Sequence, residues 1–208
     1  DVRELREEER AEFKRLPFDE KAVKKHLGAP RFAGEREYSL LERMWARPTL
    51  DVNGMLSGFT GEGAKTVIPA VAMAKVSMRL VPNQHPEKIA ELFEAYVKKI
   101  APKSVELKVT RLHGAMPWMT DFDNVYVQAA GRALEKGFGK RPVFTREGGS
   151  IPVVADFQSA LGVPVVLFGF GLPDDNLHAP NEKFNLDNFF NGILASAFLY
   201  QEIAATRT

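Results

Sequence analysis

Four histidines occur among the 208 residues, and His178 is the one whose surroundings could support chemistry. It lies in DDNLHAPNEKF, after two acids, and no cysteine or second histidine is near it in sequence. The preceding VPVVLFGFG is typical of a buried strand, and open α/β sheets place their sites beyond the carboxyl ends of such strands. Neutral imidazole binds zinc or manganese, and the acids could orient it. A solitary histidine also serves in ordinary surface turns, so both interpretations stay open.

Ser150 is the second candidate, in the stretch TREGGSIP. Two glycines let a backbone approach a ligand closely, and a helix N-terminus favours an anion there. Ser150 could equally be a simple helix cap. A nucleophilic pairing of Ser150 with His178, as in an acyl transferase, is a third possibility. It lacks both a Gly-x-Ser-x-Gly elbow and an orienting acid.

Arg79 is the third candidate, near the end of a strand pattern otherwise rich in Ala, Val and Met. A guanidinium fork there is suited to bidentate capture of a carboxylate. The alternative is an exposed residue on the solvated face of a two-faced strand. Thr66, after the glycine-rich GEGAK turn, carries little signal by itself.

The composition restricts the class of protein. The hydrophobic content of 45%, the charged content of 26% and the net charge of +1 are those of a soluble globular chain. They give no electrostatic case for nucleic acid or an anionic membrane. The absence of cysteine excludes disulfides and thiolate metal sites and fits a reducing, cytoplasmic location. No apolar run approaches the 18 residues of a membrane span.

Alternating and amphipathic patterns predict two regions. In the first, residues 1–115, strand patterns at 49–59, 66–82 and 104–113 surround a helix that starts at Pro86. This is most of a ferredoxin-like αβ sandwich without its first strand and helix. In the second, residues 116–208, helices alternate with short apolar strands, as in part of a doubly wound αβα sheet. The fold class is therefore α/β with an α+β first region.

Four stretches together resemble a known family. GAKTVIPAVAMAKVSMRLVPN, HGAMPWMTDF, TREGGSIPV and NLHAPNEKF, in this order, are similar to the C-terminal half of carnosinase-like dipeptidases. These belong to the two-metal exopeptidases that include succinyl-diaminopimelate desuccinylase, acetylornithine deacetylase and aminoacylase. The resemblance implies that residues 1–115 are a lid or dimerisation domain. Residues 116–208 would then be the closing part of the catalytic domain.

The resemblance also implies a role for each candidate residue. His178 matches the last ligand of the family's pair of divalent metals, zinc or manganese. Arg79 matches the arginine that holds the substrate's terminal carboxylate, and Thr66 and Ser150 match further substrate contacts. Family lids form homodimers, so a homodimer through the lid is expected, with Thr66 acting on the neighbouring site.

The other metal ligands and the general base of this family lie in a half that these 208 residues do not match. We therefore expect the chain alone to be inactive, metal-free and without a catalytic base. In the intact enzyme, a metal-activated water would hydrolyse a dipeptide or an acyl-amino acid. The competing hypothesis is a non-catalytic module for dimerisation or peptide binding, in which a strand edge pairs with a second chain.

Overall fold

A computed structural model describes residues 1–146 and 151–206. Within them the chain forms seven helices and two strands. In chain order these are α1 (Glu7–Lys14), α2 (Glu20–Leu27), α3 (Leu40–Ala46), β1 (Thr49–Ser57), β2 (Ala72–Arg79), α4 (Pro86–Ile100), α5 (Val125–Phe138), α6 (Val153–Leu161) and α7 (Leu186–Ala205). None of these helices is both long enough and apolar enough to cross a membrane.

Local signals decide where several helices start and stop. The Asp19 carboxylate accepts hydrogen bonds from the N–H groups of Lys21 and Ala22, which caps α2. Gly28 ends the same helix in the left-handed region, at φ 62°. Pro86 opens α4, where its missing N–H costs nothing, and Gly139 ends α5 at φ 68°.

β1 and β2 form an antiparallel pair with a bulge between Val52 and Gly54. The bulge explains an irregularity in the sequence, because the apolar positions Leu50, Val52 and Met55 break the strict period of two. Since the extra residue shifts the phase, all three lie on one face, opposite Met78, Val76 and Ala74. The other face of β2 carries Met73, Lys75, Ser77 and Arg79, as the alternation in the sequence predicts.

The chain divides into two compact units. The first contains Asp1–Leu5, Asp19–Pro117 and the described residues of Arg146–Pro152. The second contains Arg6–Phe18, Trp118–Thr145 and the described residues of Val153–Thr208. The opening residues are bound into the first unit by Arg146. Its buried guanidinium donates to the carbonyls of Arg3 and Glu4, each at 3.2 Å.

In the second unit, α5 packs closely on α7. Alanines supply much of the contact, with Ala129, Ala133 and Ala195 fully buried, so the two backbones can approach each other. Glu202 of α7 accepts from the guanidinium of Arg132 at 2.6 Å and from the ammonium of Lys136. Small side chains and one ion triad therefore fix this helix pair.

Three segments with strand patterns are not part of a sheet in the described residues. These are 104–113, 163–171 and PVFTRE at 142–147, of which 142–146 are described, and none has a ladder partner there. The apolar patterns predict extended backbone, but a strand also needs a neighbour whose N–H and C=O groups face its own. The ferredoxin-like and doubly wound arrangements therefore stay predictions, and the observed fold is a mixed one of helices and a small sheet.

Candidate functional site

His178 lies in the loop between the apolar segment 163–171 and α7. Its backbone is left-handed, at φ 62°, as are those of Asn176 at 54° and Asn181 at 61°. Non-glycine residues seldom adopt this region, although Asn and His do so more readily than most. Each such residue costs roughly 1–3 kcal/mol and persists only where the surroundings enforce it, a condition common in functional sites.

Asp175 is a buried residue of this loop that makes hydrogen bonds across it. Only 1% of its surface is exposed, and its Oδ2 accepts from the backbone N–H of Leu172 at 2.7 Å. Its carbonyl accepts from the N–H of Lys183 at 3.0 Å. Asp175 is therefore hydrogen-bonded to both ends of the segment that contains His178.

Lys183 closes the loop through its side chain as well. Its ammonium donates to Asp174 Oδ2 at 2.8 Å and lies 3.6 Å from Asp175 Oδ1. The hydrogen bond from Lys183 lowers the pKa of Asp174, and the same bond raises the pKa of Lys183. The Lys183 ammonium therefore lies close to two carboxylates of the same loop.

Both flanks of the loop are attached to α7. Asn188 donates to the carbonyl of Phe170 at 2.8 Å. The ring of Phe184 meets that of Phe189 edge to face at 6.4 Å. The same helix therefore holds the segment before the loop and the segment after it, which limits how far the loop can move.

The imidazole of His178 is exposed, and no hydrogen bond or ion pair within the described residues engages it. The neighbouring acids make no direct hydrogen bond to this ring in the described residues, because Asp174 binds Lys183 and Asp175 binds Leu172 and Lys183. Both ring nitrogens thus stay available to a ligand.

This loop offers one side chain that could bind a metal ion, the imidazole of His178. A single exposed imidazole fits one position around zinc or manganese. Among residues 1–146 and 151–206, no three His, Asp or Glu side chains cluster closely enough to hold an ion. The described residues therefore fit a contribution to a metal centre and do not complete one.

The remaining candidates belong elsewhere in the structure. Arg79 ends β2 opposite Thr49, with its side chain on the face that also carries Lys75 and Ser77. Thr66 lies exposed in the loop between β1 and β2. Both are in the first unit, whereas His178 is in the second. Ser150 lies outside the described residues.

Sequence reasoning missed the structural roles of Asp175 and Lys183. A signal was present, since Asn176 and Asn181 flank His178 and asparagine tolerates left-handed backbone. Two such residues within six positions indicate a tightly turned loop, which needs internal hydrogen bonds. The partners of those bonds could not be read from spacing alone.

Comparison with known proteins places these features in context. Residues 21–201 match the model of peptidase family M20/M25/M40. The Cys-Gly metallodipeptidase dug1 of Schizosaccharomyces pombe is 37% identical, over 79% of this chain and 35% of its own length. The human Beta-Ala-His dipeptidase is 30% identical, over 96% of this chain and 40% of its own.

A solved structure agrees with these relatives. The M20 family metallo-carboxypeptidase Sso-CP2 from Sulfolobus solfataricus superposes with a TM-score of 0.82 at 32% identity. The match covers 97% of this chain and 46% of that one. The chain thus spans less than half the length of each of these three relatives.

Proposed function

Because this chain belongs to peptidase family M20/M25/M40, we propose that it forms part of a metal-dependent dipeptidase. In that enzyme it contributes one metal ligand and groups that hold the substrate. The observation that carries the proposal is the exposed imidazole of His178, whose left-handed backbone is held by a buried carboxylate. Left-handed backbone that the surroundings hold in place is common at functional sites.

His178 would bind one of two divalent ions, zinc or manganese, through a neutral ring nitrogen. When bound, the metals supply Lewis acidity and lower the pKa of a water that attacks the scissile amide. The chain's own part is to hold the imidazole in a fixed direction before the ion arrives. The 208 residues alone are expected to be inactive, because the described residues offer no cluster of three ligands.

Arg79 would bind the carboxylate at the C-terminal end of the substrate. A guanidinium offers two parallel N–H groups to a carboxylate, and this geometry recognises a chain end rather than an internal peptide bond. The position of Arg79 at the last residue of β2 gives it a rigid support. Thr66 and Ser150 would add further contacts with the substrate.

The same proposal assigns residues 1–115 to a lid domain and residues 116–208 to the closing part of the catalytic domain. The division between Pro117 and Trp118 supports this boundary. The grouping of Arg6–Phe18 with the second unit refines it, since α1 then belongs with the catalytic part. A cytoplasmic location stays a prediction from the lack of cysteine.

A homodimer through the lid is the partner that we propose. Leu50, Val52 and Met55 share one face of the β1–β2 sheet and are each more than half exposed. Apolar side chains grouped in this way gain free energy when a second surface covers them. In the competing non-catalytic module, a strand edge would instead pair with a second chain. Sedimentation decides the point, because a chain that stays monomeric at high concentration has no dimer interface.

Hydrolysis assays on the native protein test the activity. The substrates are Cys-Gly, β-Ala-His, a tripeptide and an N-acyl amino acid. We expect cleavage of at least one dipeptide, loss of activity with a metal chelator and recovery when zinc or manganese is restored. Faster cleavage of the tripeptide would indicate a carboxypeptidase instead. Activity that survives the chelator and stops with a serine-directed reagent would support the pairing of Ser150 with His178.

A further inference from the structure

Asp175 is the most deeply buried carboxylate in the described residues, and neither hydrolysis nor metal binding as proposed above uses it. Burying a charged group is costly unless hydrogen bonds and a counter-ion offset the loss of water. Here Oδ2 has the Leu172 N–H, whereas Oδ1 has no hydrogen bond, and the ammonium of Lys183 lies 3.6 Å away. A buried charge this sparsely matched calls for an explanation.

The position of Asp175 in the loop suggests what it does. It bonds Leu172, three residues before it, through its side chain, and Lys183, eight residues after it, through its carbonyl. His178 lies between these two anchor points, at φ 62°. A third bond, from the N–H of Ala179 to the carbonyl of Asn176 at 3.0 Å, crosses the same turn.

Removing the Asp175 carboxylate would weaken the first anchor, leaving only the hydrogen bond from the Asp175 N–H to the Leu172 carbonyl at 3.1 Å. The Leu172 N–H would lose its acceptor, and the left-handed residues would be free to relax towards negative φ, which costs them less. A change of φ at His178 turns its side chain to a new direction. The imidazole would then no longer point to a fixed place for a ligand.

We propose that Asp175 is a positioning residue that presets the direction of the His178 imidazole for metal binding, and that Lys183 supports it. The inference rests on the proposed function, since it assumes that His178 binds metal. It adds that the affinity for metal depends on a side chain that touches neither the ion nor the imidazole. Asp175 acts through the backbone of the loop alone.

The test measures Zn²⁺ affinity of the native protein by competition with a chelator. The variants are Asp175→Ala, Asp175→Asn, Asp174→Asn and His178→Ala. We expect Asp175→Ala to weaken binding roughly 10–100-fold, as for other residues that support a ligand. Asp175→Asn keeps an acceptor for Leu172 and should recover most of the loss. Asp174→Asn is the matched control, because it removes an exposed partner of the same lysine, and should lose less than about fivefold.

A second readout follows the loop without metal. NMR of the metal-free protein reports whether His178 has a left-handed backbone, and amide exchange reports protection of the Leu172 and Lys183 N–H groups. We expect both features in the unmodified protein and their loss in Asp175→Ala. If circular dichroism shows that Asp175→Ala does not fold, Asp175→Leu fills the space without an acceptor. Amide exchange of the unmodified protein needs no variant at all.

Each outcome decides the inference. Unchanged zinc affinity in a folded variant without the acceptor overturns it, as does a left-handed His178 in that variant. Rapid exchange of the Leu172 amide in the unmodified protein also overturns it. If His178→Ala binds zinc normally, the proposed function fails, and the inference about metal falls with it. In that case NMR separately shows whether Asp175 shapes the loop.

Discussion

Gly137 of α5 lies directly against Ala195 of α7. A Cβ built on Gly137 would be 2.7 Å from the Ala195 Cβ, 2.8 Å from its backbone nitrogen and 2.9 Å from its Cα. Backbone atoms cannot turn aside as a flexible side chain does, so only glycine permits this approach of the two helices. The packing of this unit thus depends on one missing methyl group.

We expect Gly137→Ala to destabilise the second unit. Overpacking of this kind costs about 1–3 kcal/mol, against a gain of roughly 1 kcal/mol from the better helix propensity of alanine. Because backbone atoms of Ala195 are in the way, the loss should exceed the gain. Denaturant unfolding measures the difference. The control is Gly169→Ala, where a Cβ meets nothing within 4 Å, and an equal loss in both variants would contradict the argument.

Glu202 should make the same helix pair sensitive to acid. The hydrogen bond from Lys136, and after it that from Arg132, hold the pKa of Glu202 below its ordinary value of 4.5. A lowered native pKa means that the unfolded state takes up protons first as the pH falls. The stabilisation is therefore complete above pH 4.5 and is lost as the pH falls through the lower native value.

Glu202→Gln tests this relation through melting temperatures between pH 7 and pH 3. At pH 7 the variant should melt below the unmodified protein, because the two cations of α5 lose their partner. The difference in melting temperature between the two proteins should narrow below pH 4.5, because the Glu202 carboxylate of the unmodified protein itself becomes protonated. Glu135→Gln, on α5 beside the two cations, is the control. A gap that stays constant over the whole range would show that charge is not involved.

Arg79→Ala should weaken the binding of dipeptides. A charge-assisted pair of hydrogen bonds to a carboxylate is worth about 1.5–3 kcal/mol, so we expect KM to rise about tenfold or more with a smaller change in kcat. Arg79→Lys keeps the charge but not the two parallel N–H groups, so its KM should lie between that of the unmodified protein and that of Arg79→Ala. Lys75→Ala removes a cation from the same face of β2 and serves as control. An unchanged KM in Arg79→Ala would exclude the proposed contact.

His178→Ala should reduce the metal content of the native protein. Losing a ligand should cost more than the roughly 10–100-fold in affinity typical of losing a supporting residue. Elemental analysis after dialysis against graded chelator gives the stoichiometry. The control is His26→Ala, in the last turn of α2, which should keep its metal. Equal retention in both variants would rule out His178 as a ligand.

The predictable parts of the fold are those set by neighbouring residues. Pro86 predicted the start of α4 from its residue type alone, and Asp19, Gly28 and Gly139 mark helix ends through contacts with residues at most five positions away. The alternation along β2 likewise predicted which face carries Arg79. The strand predicted at 163–171 is not part of a sheet in the described residues. The sequence of a strand does not specify which other segment pairs with it.

The candidate site, like the fold, has features that the sequence predicts and features that only the tertiary structure reveals. By itself the sequence determined the family and the position of His178, because the order of four motifs and the type of each residue suffice for that. Tertiary structure alone decided that α1 belongs to the second unit and that Asp175 is buried. It also decided that the acids before His178 bind Leu172 and Lys183 rather than the imidazole. The physical reason is that burial and hydrogen-bond partners depend on how the backbone turns in space, which the spacing of residue types does not specify.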